Sequence, residues 1–203
     1  MNREKLFINA FVIVILIVCI LSTFIKSEEF EKLVYALIVP VFLITILEFI
    51  IEIKEKSQKL AIEKSNVYDK LSKLEYKTAD LSVENLKLKG KFDEDNLPQN
   101  IQDDYENSIK DTKVATRYIK TSTAIVKLHK PLRVAYLITL ILFFISIMFF
   151  NKVSNILKNI ELNSIALWSL LLLLISIYYK DYFAAKVVEK LYNYYDKKEN
   201  NKE

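Results

Sequence analysis

An acidic residue inside an apolar stretch, Glu48, is the side chain whose position most strongly suggests a function. Thr45, Glu48 and Glu52 are spaced i, i+3 and i+7, so they share one face of a helix. In a membrane-spanning helix an ionisable group faces the bundle interior or a water-filled cavity, because lipid does not solvate it. One interpretation is that this face lines a polar vestibule, in which Glu48 carboxylates from several copies would form a cation-attracting ring.

Ion pairing is the alternative interpretation of the two carboxylates. Arg133 and Lys180 lie near the cytoplasmic ends of later apolar stretches and are candidate partners for Glu48 or Glu52. Snorkelling of the carboxylates towards lipid headgroups is a third interpretation.

Three further residues in the apolar stretches are candidates for a role in the membrane. Ser169 and Ser176 are seven residues apart, which places them on one helix face for pore lining or for interhelical hydrogen bonds. Pro40 lies eight residues before Glu48 and is a candidate hinge, although membrane helices often tolerate proline.

Residue types argue against an enzyme. The only histidine, His129, lies at the cytoplasmic foot of the third apolar stretch, and the only cysteine, Cys19, lies about two-thirds of the way outward in the first. They are too far apart for a nucleophile–base pair within one chain. A single glycine excludes both the P-loop and the dinucleotide-binding glycine motif. We expect no catalytic residue, metal site or cofactor.

Four apolar stretches position these residues and predict an all-α membrane protein. Hydrophobic residues make up 52% of the 203 residues and are clustered rather than dispersed. The expected spans are 6–25 and 33–53 within a first segment, 1–53, and 132–150 and 164–183 within a second, 131–183. A charge-free stretch of 20 residues is about 30 Å long as a helix, which matches the hydrocarbon core of a bilayer.

The distribution of basic residues predicts the orientation of the spans. Only four of the 29 lysines and arginines lie in the expected outer loops, 26–32 and 151–163. Positive residues favour the cytoplasmic side, so both termini and the middle segment, 54–130, are expected on the cytoplasmic side of the cell membrane. The middle segment is nearly balanced in charge, which argues against nucleic-acid binding.

The middle segment predicts a coiled-coil-like helical hairpin with a turn near 90–98. Spacings of four and three residues alternate along its first arm, as at the buried positions of a coiled coil. The expected oligomerisation seam consists of Leu60, Val67, Leu71, Leu74, Thr78, Leu81, Asn85 and Leu88. No helix breaker separates the second span from this arm, so one helix is expected to contain both.

The second arm carries a weaker stripe, rich in threonine. It consists of Ile101, Tyr105, Ile109, Thr112, Thr116, Ile119, Thr123 and Val126. Residues 184–203 are expected to form an amphipathic helix followed by a disordered tail from residue 196.

The expected architecture has two pairs of spans around a cytoplasmic segment. In this respect the chain resembles flagellar stator subunits, whose Gly- and Pro-rich motifs it lacks. It is also similar to the small four-span membrane effectors of prokaryotic antiviral systems. The second resemblance implies a bacterial inner-membrane protein that permeabilises the membrane when activated.

The sequence therefore predicts a homo-oligomeric, pore-forming or membrane-perturbing protein gated through its cytoplasmic hairpin. A membrane-anchored scaffold, recruiting a cytoplasmic protein partner through 54–130, is the alternative. The lipid bilayer is the expected environment in both cases.

Overall fold

A computed structural model describes residues 28–93, 97–157 and 162–201, and every regular element among them is an α-helix. The expectation of an all-helical chain is confirmed for this part of the sequence. The helices are α1 (Glu28–Leu88), α2 (Gln99–Lys127), α3 (His129–Met148), α4 (Phe150–Leu157) and α5 (Leu162–Asn200). The first apolar stretch with Cys19, and residues 94–96 of the predicted turn, lie outside the described residues.

Helix α1 contains the second apolar stretch and the first arm without a break. It has 61 residues, or about 90 Å at the rise of an α-helix. Pro40 lies inside it and is buried. Because proline has no N–H group, the carbonyl of Ala36 loses its helical hydrogen bond there.

The chain divides into two compact units, which we call the apolar unit and the charged unit. The apolar unit comprises Met1–Ile50 with Pro131–Tyr178, and the charged unit comprises Ile51–Lys130 with Tyr179–Glu203. In the apolar unit a small core forms where Phe143 packs with Leu37 and Ile44.

Many large apolar side chains of α3 are exposed rather than packed. They include Val134, Leu137, Ile138, Ile141, Leu142, Phe144, Ile145, Ile147 and Met148. Two helical segments, Lys32–Leu88 and Gln99–Met148, are long and apolar enough to cross a membrane, judged by length and composition.

Small residues form the packing face of the first arm in the charged unit. The buried positions are Ser57, Ala61, Ser65, Ser72 and Ala79. Small side chains allow two helix backbones to approach closely, so serine hydroxyls reach main-chain carbonyls of neighbouring helices. The Ser65 hydroxyl donates to the Ala115 carbonyl at 3.1 Å and the Ser72 hydroxyl to the Ser108 carbonyl at 2.9 Å.

Gly90 ends α1 in a Schellman motif. Its φ of 62° is the only positive value among the described residues. The Lys91 N–H donates to the Leu86 carbonyl at 3.0 Å, and the Gly90 N–H donates to the Lys87 carbonyl at 3.1 Å. The chain resumes helical structure at Gln99, directly after Pro98.

Two segments are more helical than the sequence predicts. The expected outer loop 151–163 is helical through Leu157. These residues belong to α4, which follows α3 after a single turn residue, Phe149. The expected disordered tail is wrong for residues 196–200, since α5 continues to Asn200. Its last turn carries acidic side chains that pair with α2.

Candidate functional site

The polar face of α1 contains Thr45, Glu48 and Glu52. The Thr45 hydroxyl donates to the carbonyl of Val41 at 3.0 Å, one turn earlier in its own helix. Thr45 and Glu48 are both half-buried, and Glu52 is exposed. Thr45 therefore offers only its oxygen lone pairs to other groups.

Glu52 and Lys180 lie close together in the charged unit. The Lys180 ammonium is 3.4 Å from a carboxylate oxygen of Glu52. One helical turn further along α1, Lys56 pairs with Asp181. The two ion pairs and the hydrogen bond from Ser57 to the Ala184 carbonyl join α1 to α5 along this stretch.

The other candidate residues of the apolar stretches lie on three different helices. Arg133 is exposed near the start of α3, and Pro40 is buried within α1. Ser169 and Ser176 belong to α5, but their side chains lie outside the described residues. Their predicted role stays a prediction.

The predicted seam residues of α1 form an exposed surface, which we call the heptad face. Leu60 is its exception, because it is half-buried against the cluster around Ala61 and Tyr118. The remaining members are all exposed: Val67, Leu71, Leu74, Thr78, Leu81, Asn85 and Leu88. Packing within the chain uses the serine and alanine face instead.

The second arm shows the same division. Of its predicted stripe, only Ile101 is buried, while Ile109, Ile119 and Val126 are exposed. The residues of α2 that pack instead are Ser108, Ala115, Tyr118, Thr121, Ser122 and Ile125. The threonine-rich pattern therefore identified a helix but not its packing face.

A clamp of ion pairs, not predicted from the sequence, joins α2 to the end of α5. Arg117 lies 2.5 Å from Asp196 and 2.7 Å from Glu199, and Lys120 also pairs with Glu199. Hydrogen bonds from Lys120 and Arg117 lower the pKa of the Glu199 carboxyl. The i, i+3 spacing of Asp196 and Glu199 was the available signal, but it does not reveal a partner about 80 residues earlier.

Three tyrosines stack at the centre of the charged unit. The ring of Tyr118 lies 5.8 Å from Tyr68 of α1 and 4.6 Å from Tyr192 of α5, between ring centroids. The Lys64 ammonium lies 5.5 Å from the centre of the Tyr118 ring, in cation–π range. Burial raises the pKa of the Tyr118 hydroxyl.

Carboxylates of the two arms also come together. Glu75 on α1 is half-buried near Asp111 and Asp104 of α2, and burial followed by repulsion from these two acids raises its pKa. One oxygen each of Glu75 and Asp111 is buried without a hydrogen bond. Nearby, Tyr105 donates to Asp80 at 2.7 Å, which raises the pKa of this tyrosine to about 12.

The acidic residues do not form a metal site in the part of the chain that the structure describes. No group of three or more His, Cys, Asp or Glu side chains there has the arrangement needed to hold an ion. No protein-family model, curated protein or solved structure matches the chain.

Proposed function

We propose that this chain is a non-enzymatic integral membrane protein whose copies assemble into a gated pore or another membrane-perturbing structure. The supporting observation is that α1 contains both the apolar segment with Glu48 and the arm with the exposed heptad face. Association or rearrangement of the arms would act on the same helix that carries Glu48. The cytoplasmic hairpin, 54–130, would then be the gating element.

The proposed topology has four spans, with both termini and the hairpin in the cytoplasm. The low number of basic residues in the two expected outer loops supports this orientation. The exposed apolar side chains of α3 support lipid contact, since a surface of that kind in water would favour aggregation.

Conductance of the purified oligomer in planar bilayers tests the pore. The Glu48→Gln change keeps the size of the side chain but removes its charge, so we expect most of the cation current to be lost. Glu106→Gln removes a charge from an exposed position of α2 and should leave the current unchanged. A well-folded oligomer that conducts no ions would refute the pore.

The architectural resemblance to membrane effectors of prokaryotic antiviral systems suggests the setting in which such a pore would act. Expression in bacteria should then depolarise the inner membrane and arrest growth, and Glu48→Gln should do neither. Depolarisation of equal size by both proteins would mean that the Glu48 carboxylate does not carry the effect.

A membrane-anchored scaffold is the second candidate function, favoured by the exposed apolar side chains of α2. Ile109 and Ile119 are about 60% exposed and lie on a face that α1 does not cover. For a scaffold, replacing both by serine should abolish binding of a soluble partner while Glu48→Gln has no effect. The opposite result would favour the pore.

A further inference from the structure

The heptad face has the residue pattern of a two-stranded coiled coil. Spacing assigns Val67, Leu74, Leu81 and Leu88 to the d positions and Leu71, Thr78 and Asn85 to the a positions. All seven are exposed, and Val67 and Leu74 are each 62% exposed. Apolar side chains at these positions stabilise a coiled coil only when a partner helix covers them.

The heptad face is open to a second helix because the chain's own packing uses another side of α1. At 100° per residue, its centre lies roughly 130–140° around the helix from the face of Ser65, Ser72 and Ala79. A helix docked on the heptad face therefore does not compete with α2 or α5 for the small-residue face.

Charges beside the heptad face match a parallel partner of identical sequence. The g positions hold Lys70, Lys77 and Glu84, and the e positions that follow hold Glu75, Ser82 and Lys89. In a parallel pair each g residue meets the e residue five positions further along the other helix. Lys70 then meets a second copy's Glu75, Glu84 meets its Lys89, and no like charges face each other.

The antiparallel arrangement that overlaps these heptads best is less favourable. It would bring Lys77 against a second copy's Lys77 and Glu75 against its Glu75. It would also place Asn85 opposite the apolar Val67, whereas in the parallel pair Asn85 faces Asn85. A buried asparagine pair of that kind specifies register and two-stranded association.

We propose that the heptad face binds the same face of a second copy of this chain, parallel and in register over about residues 67–89. The inference rests on the proposed oligomeric function, but the experiment that tests it measures association of the chains and not conductance. In this pair, Lys70 of one copy places a positive charge beside the carboxylates of Glu75, Asp111 and Asp104 in the other.

Cysteine cross-linking of the full chain in membranes tests the direction and register. In a Cys19→Ser background, Val67→Cys and Leu81→Cys are made separately, with Asn66→Cys as an exposed control on another side of the helix. We expect a disulfide-linked dimer from Val67→Cys and also from Leu81→Cys, but not from the control. A disulfide requires Cα atoms within about 7 Å, which the parallel register provides at both positions.

An antiparallel pair would separate the two copies of residue 67 by more than about 20 Å. Cross-linking at only one of the two positions, or at neither in a chain that retains its helicity, would overturn the parallel arrangement. So would cross-linking of Asn66→Cys to the same extent.

A charge exchange tests the pairing itself. Lys70→Glu should weaken dimerisation by at least about two- to fivefold for each of the two symmetric pairs, the range measured for surface ion pairs. Lys70→Glu combined with Glu75→Lys should restore it, while Lys110→Glu on α2 is the matched control. Failure of the double variant to recover, with Lys110→Glu as harmful as Lys70→Glu, would refute the pairing even if the pore conducts.

Discussion

At the scale of single residues, Glu75 has unfavourable surroundings for a carboxylate. It lies near two acids of α2, and one of its oxygens is buried without a hydrogen bond. Its pKa is raised above 4.5, mainly by burial. The folded chain therefore binds this proton more tightly than the unfolded chain does.

The sign of the pH dependence follows from that difference. The stability of the chain should decrease as the pH rises from 4.5 through the folded-state pKa of Glu75, and the loss should persist at neutral pH. Glu75→Gln should therefore raise the midpoint of thermal unfolding at pH 7 and have little effect below pH 4.5.

The measurement is circular dichroism of monomeric chain in detergent, so that pairing with a second copy does not contribute. Glu106→Gln, at an exposed position of α2, is the control and should not change the midpoint. A Glu75→Gln variant that is less stable at pH 7 would show that the carboxylate makes a favourable interaction.

Gly90 illustrates how one residue determines a chain reversal. Its φ of 62° is unfavourable for residues with a Cβ atom, although no heavy atom lies within 4 Å of the place where a Cβ would be. Gly90→Ala should therefore destabilise the folded chain by about 1–2 kcal/mol through backbone strain alone. Gly90→Asn should cost less, because asparagine adopts this conformation more readily, and equal losses would argue against strain as the cause.

At the scale of elements, each arm has two different faces. On α1, serine and alanine pack within the chain, while most of the leucine and valine residues of the heptad face are exposed. Close approach of the backbones makes the small-residue face sensitive to size, because even one added methylene in a packed interface is felt.

Ala61 tests the small-residue face. Its side chain is fully buried beside Tyr118, Ile125 and Val188. Ala61→Leu should destabilise the folded chain by about 1–3 kcal/mol through overpacking. Asn66→Leu makes a similar change at an exposed position, and its effect on the denaturation midpoint should be within about 0.5 kcal/mol. Equal effects of the two changes would mean that the packing face is not the one described.

At the scale of the whole molecule, the proposed topology makes a prediction about access from outside the cell. With Cys19→Ser as background, Ser27→Cys and Lys152→Cys should react with an impermeant maleimide in intact cells. Asn66→Cys should react only after the membrane is permeabilised. Labelling of Asn66→Cys in intact cells would reverse the proposed orientation.

Much of the secondary structure was predictable from the sequence because it depends on local chemistry. The lack of breakers between Pro40 and Gly90 predicts one long helix, and α1 runs from Glu28 to Leu88. Glycine and proline mark where α1 ends and α2 begins. The heptad spacing correctly indicated a helix with an apolar stripe.

Only the tertiary structure decided which faces pack. Periodicity shows that residues share a face, but burial depends on which helix approaches and how closely. The small-residue face is buried because helices α2 and α5 come near it, and the heptad face is exposed because no helix of the described chain does. The ion pairs of Arg117 and Lys120 with Asp196 and Glu199 likewise join residues that are distant in sequence, which periodicity does not reveal.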